Sequence, residues 1–288
     1  MAGGTITIRR QIRSITNTKK VTKAMELVSA SKMRKAVATT VSARPYARAA
    51  QEVLTALQGV NDGDVSHPLM TSRVVKTVGV IAIGSNRGLC GGFNSQLASA
   101  IVKTLGADYA GATVKVITLG RRLRDALARQ GFEITADFVK QDITKSSVEI
   151  APIAKMVIDG YTDESYDCVL LSYNHYVSAM KQQPIVKPLL PLTMVAGAST
   201  VSVAPILFEP SPSQVLNHLL PRLIETEIFQ AVIESEASEH SARMVAMKNA
   251  TESAKDILFD LQLAYNQIRQ AAITQEIAEI SAGRLAME

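Results

Sequence analysis

From residue 5 to residue 58 the chain reads as one uninterrupted helix. Ile8, Ile12, Ile15, Thr18, Val21, Met25 and Val28 recur at steps of three and four, which draws a narrow stripe along one face. No glycine falls between Gly4 and Gly59, and Gly59 with the segment NDGDVSHP (61–68) supplies the stop. A helix of ~50 residues would run ~75 Å, with Pro45 as a place for it to kink.

Between 73 and 210 the pattern changes. Apolar, β-branched runs alternate with helical stretches: VVKTVGVIAIG (74–84), TVKVITLG (113–120), a run near 132–138 and YDCVLLSYN (166–174) read as strands. Helices are expected near 93–105, after Gly120 with Arg121, Arg122 and Arg124, and near 147–160. Such alternation predicts a Rossmann-like α/β domain with a mainly parallel sheet. PIVKPLLPLT (184–193) fits an edge strand, because proline cannot donate to a ladder.

Residues 211–288 return to helix, opening at SPSQ with Pro212 in the first turn. Pro221 is expected to part a short helix from a long one. Beyond it, Ile233, Ala237, His240, Met244, Met247, Thr251, Ala254, Leu258, Leu261, Tyr265, Ile268 and Ala272 step by four and three in strict alternation. A sustained 3.5-residue repeat predicts a left-handed coiled coil. The simplest assembly pairs the N- and C-terminal helices as a long antiparallel coiled coil with the α/β domain inserted between them. That gives three parts: 1–60, 73–210 and 211–288.

Charge supports the pairing. Residues 1–35 carry Arg9, Arg10, Arg13, Lys19, Lys20, Lys23, Lys32, Arg34 and Lys35 against the single acid Glu26, whereas acids outnumber bases over residues 222–288. Opposite ends of this kind steer and register a helix pair more than they stabilise it. A solvated helix face is the first reading of these bases, and a face meeting an acidic protein surface is the second. Nucleic acid fits them less well, since no aromatics are interleaved with the bases. Aromatic content is only 5%, without tryptophan, which favours packing by aliphatic and small side chains over a ring-lined pocket. Cys90 and Cys168 match no zinc or CxxC spacing, and a reducing compartment is expected. No apolar run reaches the ~20 residues of a membrane span, and the N-terminus lacks the apolar stretch of a signal peptide.

Catalytic patterns are missing. GxSxG and HExxH do not occur, and His67, His175, His218 and His240 are scattered, the last on the heptad seam. The loop GSNRGLCGGF (84–93) follows a strand and precedes a helix, where a phosphate cradle would sit. It matches neither GxxxxGK[ST] nor GxGxxG. A tight structural turn is the first reading, a partner-binding loop the second and a nucleotide site the third. No cofactor and no metal are expected. After Ala272 the apolar heptad gives way to Thr274, Gln275, Glu276 and Glu279. A helix leaving its coiled coil needs another surface or it frays.

Three blocks resemble one family, the gamma subunits of rotary F-type ATP synthases. IRSITNTKKVTKAMELVSASKMRKA (12–36) is similar to that family's first helix and RGLCGGFN (87–94) to its glycine loop. SEHSARMVAMKNATESA (238–254) and AYNQIRQAAITQEIAEI (264–280) are similar to its last helix. The resemblance implies a non-catalytic central shaft that couples ion-driven rotation of a membrane c-ring to ATP synthesis or hydrolysis in an alpha–beta hexamer. An epsilon subunit would be a further partner. It implies beta-subunit contacts at Lys23, Met25, Arg87, Arg269, Gln270, Thr274, Glu276 and Glu279. It also implies a bacterial type at the cytoplasmic face of the inner membrane, because the dithiol insertion of photosynthetic forms and a transit peptide are both missing. Gly283-Arg284 departs from the family's closing motif, which continues with alanine.

Overall fold

The computed structural model describes residues 2–57, 67–140, 144, 146–192 and 212–285. The expected helix stop at Gly59 and 61–66, and the stretch 193–211, lie outside the described residues, as do the side chains of Gly283 and Arg284. Among the described residues twelve elements follow one another, including helices α1 (Ala2–Leu57), α2 (Phe93–Asp108), α3 (Arg121–Ala128), α4 (Ala151–Thr162) and α5 (Pro212–Leu285). The strands are β1 (Thr77–Ile83), β2 (Thr113–Leu119), β3 (Glu133–Phe138), β4 (Cys168–Tyr176) and β5 (Gln182–Leu190). The chain divides into two compact units, residues 30–243 and residues 1–29 with 244–288.

The larger unit is built on a five-stranded sheet in the order β3-β2-β1-β4-β5. β1, β2, β3 and β4 are parallel, and β5 returns antiparallel along β4 with Pro184 and Pro188 in its run, as its prolines predict. Both faces are covered, and the period of two assigns alternate residues to two cores. Val78, Val80 and Ala82 of β1 join Cys168 and Leu170 of β4 under α2 and α3, with Leu97, Ile101, Leu123 and Leu127. Ile81, Ile83, Ile117, Leu171 and Tyr173 face the other way, against Ile153 and Val157 of α4 and the first turns of α5.

Two expectations are corrected here. Pro221 does not break the helix: α5 runs through it without interruption from Pro212 to Leu285. Proline inside a helix costs about 3 kcal/mol. Leu216, Leu220, Leu223, Ile224, Ile228 and Val232 on either side are all buried against the sheet, each contributing about 1.5–3 kcal/mol, so packing outweighs the lost hydrogen bond. Pro45 likewise lies inside α1.

The second correction concerns the face of α1 that packs. In the smaller unit, residues 2–29 of α1 pair with the last part of α5. The half-buried or buried positions are Ile8, Ile12, Ile15, Thr16, Lys19, Thr22, Met25, Glu26 and Ser29. Thr18, Val21 and Val28 of the predicted stripe are exposed, the two valines at 57% and 56%. Successive steps of three, as in Ile12, Ile15, Thr18, Val21, rotate about 60° off a seam at 3.6 residues per turn. The seam instead takes a step of four after Ile15 and stays in line. Small hydroxyl residues sit on it: Thr251 donates to the Thr22 hydroxyl at 2.9 Å. On α5 the sequence heptad is the packed face throughout. Met247, Thr251 and Ala254 are buried, and Leu258, Leu261, Tyr265, Ile268 and Ala272 are half-buried.

Candidate interaction surfaces

The glycine loop leaves β1 at Gly84 and enters α2 at Phe93. Its tightness has a local cause. A Cβ on Gly84 would stand 2.2 Å from Leu123 Cβ, and one on Gly120, at φ 111°, would stand 2.8 Å from the Gly84 carbonyl carbon. Both glycines therefore serve the close approach of the β1 and β2 loops; Gly84 N–H donates to Leu119 O at 2.7 Å and Arg122 N–H to Ser85 O at 3.0 Å. In an open parallel sheet a ligand would sit where the strand order reverses, here beside the ends of β1 and β4. That crevice is taken by α5: the Ser235 hydroxyl donates to Ile83 O, and Ser235, Ser238 and Ser241 are fully buried. α5 thus lies against the end of β1, beside where such a ligand would sit. What the loop offers outward is Arg87 and Leu89, both exposed. Leu89 holds a left-handed backbone at φ 63°.

α5 is fastened to this region by charges that the sequence reading missed. Lys140 Nζ lies 2.6 Å from Glu239 Oε2, and Arg243 lies 2.8 Å from Glu239 Oε1. Burial pushes the Glu239 carboxyl up, but Lys140 and Arg243 outweigh it and hold it below the usual range. Glu236 receives the Thr144 hydroxyl at 2.5 Å and the Thr144 N–H at 3.0 Å. Here burial wins, and the carboxyl is raised despite Lys140. The spacing of Glu239 and Arg243 was readable as an i,i+4 pair; Lys140, distant in sequence, carried no signal.

In the smaller unit, a cleft of about 470 Å³ lies between the two helices, lined by Lys19, Lys20, Lys23 and Lys255 with Glu252, over Thr16, Thr251 and Leu258. Lys23 is half-exposed and paired with Glu26 at 2.9 Å. Lys255 bonds Glu252 at 2.9 Å and holds its carboxyl below the usual range, with smaller contributions from Lys248 and Lys23. Met25 is half-buried beside the seam. Sequence singled out Lys23 from this cleft but not its three lysine companions, which only the pairing of helices assembles.

The remaining predicted contacts all fall on the last part of α5. Arg269, Gln270, Thr274, Glu276 and Glu279 are exposed. The Thr274 hydroxyl turns back to Gln270 O at 2.9 Å, and Glu279 accepts from Gln275 at 2.8 Å. From residue 273 to residue 282 every side chain is exposed, although the backbone stays helical. Ile273, Ile277 and Ile280 form a stripe in this stretch, Ile280 being 74% exposed. Lys23 and these residues lie on different stretches of the helix pair and form no single cluster. Arg87 belongs to the other unit.

Among the described residues no group of side chains is arranged to hold a metal, and no helix is long and apolar enough to cross a membrane. Charged and apolar surfaces left open on helices, with the sheet crevice closed from within, define a subunit whose chemistry is contact with other proteins. The family model described as ATP synthase matches residues 5–287. The ATP synthase gamma chain of Pelotomaculum thermopropionicum is 42% identical over 98% of both chains, and that of Heliobacterium modesticaldum is 41% identical over 97% of this chain and 98% of its own. Among solved structures, a chain of the Euglena gracilis mitochondrial ATP synthase F1/c-ring assembly shares the fold, with TM-score 0.68 at 18% identity over 100% of this chain and 95% of its own. The chain belongs to the ATP synthase gamma chain family, the central-stalk rotor subunits, which are not themselves catalytic.

Proposed function

We propose that this rotor acts by contact between its open helix surfaces and the alpha–beta hexamer, with the epsilon subunit and the c-ring as its other neighbours. In this reading the enzyme works at the cytoplasmic face of a bacterial membrane. Residues 1–60 and 211–288 serve as the shaft and 73–210 as the body that receives the drive. The observation that carries the reading is the stretch 273–282, helical with every side chain exposed and three isoleucines among them. Helix in that state is held by another protein's surface.

The chemistry of each contact follows from its side chains. Lys23, beside Met25, faces an acidic loop of a beta subunit from the lysine-lined cleft, and Arg87 meets the same acidic region from the glycine loop. Arg269, Gln270 and Thr274 hydrogen-bond a second beta-subunit loop, while Glu276 and Glu279 orient the tip. Charge-assisted bonds of about 1.5–3 kcal/mol each are enough to bias one rotary angle over another. The test is the double variant Arg269→Ala with Gln270→Ala, assembled into the complex. Coupled ATP synthesis should fall while the purified chain unfolds at the same denaturant midpoint; a fully coupled double variant removes these two residues from the contact.

A further inference from the structure

Four side chains from three parts of the larger unit close a ring behind the glycine loop. The Asn86 amide donates to the carbonyl of Lys140. Lys140 Nζ donates to Glu239 Oε2 at 2.6 Å, and Glu239 Oε1 accepts from Arg243 at 2.8 Å. The Arg243 guanidinium then reaches back to Arg87 O at 3.3 Å and Gly88 O at 3.4 Å, next in the chain to Asn86. His240 Nδ1 stands 3.4 Å from the same guanidinium. Lys140, Glu239 and Arg243 are only 6%, 7% and 8% exposed. Inside the loop, the Ser85 hydroxyl donates to Arg87 O and accepts from Asn94, with Cys90 buried beside them.

A buried ionic ring is a poor source of net stability, since desolvation offsets most of its attraction. Its best-supported use is to impose one conformation. The conformation imposed here is unusual: Leu89 sits at φ 63°, a region L-residues avoid, and its side chain is 60% exposed. A strained backbone that turns leucine outward next to an exposed arginine is not explained by packing within the unit. Strain of this kind persists only where the surroundings over-determine it, and the ring supplies that constraint from behind.

We propose that Asn86, Lys140, Glu239 and Arg243 are positioning residues that hold residues 85–92 in this form and so present Arg87 and Leu89 as one paired contact. The arginine takes a carboxylate of a neighbouring subunit, and the leucine takes an apolar pocket beside it. The carboxylate half rests on the proposed role of Arg87; the holding of the loop does not.

Cys90 reports the loop directly. In the full chain, its reaction with N-ethylmaleimide is followed by mass spectrometry, with the buried Cys168 as reference in the same molecule. Glu239→Gln, which keeps the shape and removes the charge shared by both cations, should speed labelling of Cys90 relative to Cys168 by about tenfold or more, as local opening becomes easier. Lys140→Gln should do the same from the opposite side of the ring. An unchanged Cys90 rate, or equal acceleration of both thiols, overturns the holding role. In the assembled complex, the loss of coupled synthesis caused by Glu239→Gln should vanish when Arg87→Ala and Leu89→Ala are already present, because the ring acts through them. Additive losses overturn the aiming role. If Arg87→Ala alone couples normally, the acidic-surface reading of Arg87 fails with it, and the Cys90 ratio still decides whether the ring holds the loop.

Discussion

The two units of this chain solve the burial problem differently. In the larger unit, residues 30–243, β1 is buried from Val78 to Ile83 and apolar layers cover both faces of the sheet. In the smaller unit, the centre of the helix seam is Thr22, Ser29, Met247, Thr251 and Ala254. Although it is much the smaller, it holds half of the large apolar side chains left exposed among the described residues, including Leu27, Phe259 and Ile277. One unit keeps its hydrophobic surface for itself; the other spends small residues on its own seam and leaves large ones for a partner. Stability and function should therefore separate along this division.

The largest effect should come from emptying the sheet core. Leu171→Ala should cost about 3–5 kcal/mol by cavity formation, read as a lower denaturant midpoint of the purified chain. Ile277→Ser should shift that midpoint by less than about 0.5 kcal/mol, as exposed substitutions do, yet lower coupled ATP synthesis in the complex. A reversal of those two results would break the comparison.

Next comes the seam. Ala254 is buried where the helices approach closely, so Ala254→Leu should overpack it and cost about 1–3 kcal/mol, whereas Leu at the exposed Val28 position should be neutral in the same unfolding assay. The hydroxyl pair sharpens the point further. Thr251→Val removes the donor to the Thr22 hydroxyl, which keeps only its bond to Lys19 O at 3.1 Å, and should cost about 1 kcal/mol, while Thr22→Val with Thr251→Val should recover part of it, measured as a double-mutant cycle of midpoints.

The smallest effect belongs to the start of β1, where Asp167 accepts from the Thr77 and Lys76 N–H groups, each at 2.8 Å. The Thr77 bond, followed by that from Lys76, holds its carboxyl below the ordinary range. A depressed carboxylate contributes stability above its unfolded pKa of about 3.9 and loses it as pH falls through the lower folded value. Asp167→Asn should thus lower stability modestly at neutral pH and flatten the acid limb; equal acid profiles for both proteins would show that the two hydrogen bonds contribute nothing.

Local periodicity determined a good part of this molecule. The 3.5-residue repeat from Ile233 to Ala272 is the packed face of α5, and the alternation of β-branched runs with helical stretches is the layered α/β unit with β5 at its edge. Those features were legible because they repeat within a few residues, where a side chain's direction follows from its position in the element. Two readings failed at places where packing competes with local preference. Pro221 is overridden by the leucines and isoleucines around it, and Val21 and Val28 yield the seam to Thr22 and Ser29 because close helix approach selects for size before hydrophobicity.

For the contact residues, sequence named single members and tertiary structure supplied their company. Lys23 and Arg87 were readable as positions in motifs; the cleft that adds Lys19, Lys20 and Lys255, and the ring of Asn86, Lys140, Glu239 and Arg243, depend on segments far apart in the chain meeting in space. The sequence alone determined which elements form and which family they compose, since both are carried by local pattern. Only the tertiary structure decided which charges are buried together and which apolar side chains are left open, because those depend on what each element finds on its neighbour's surface.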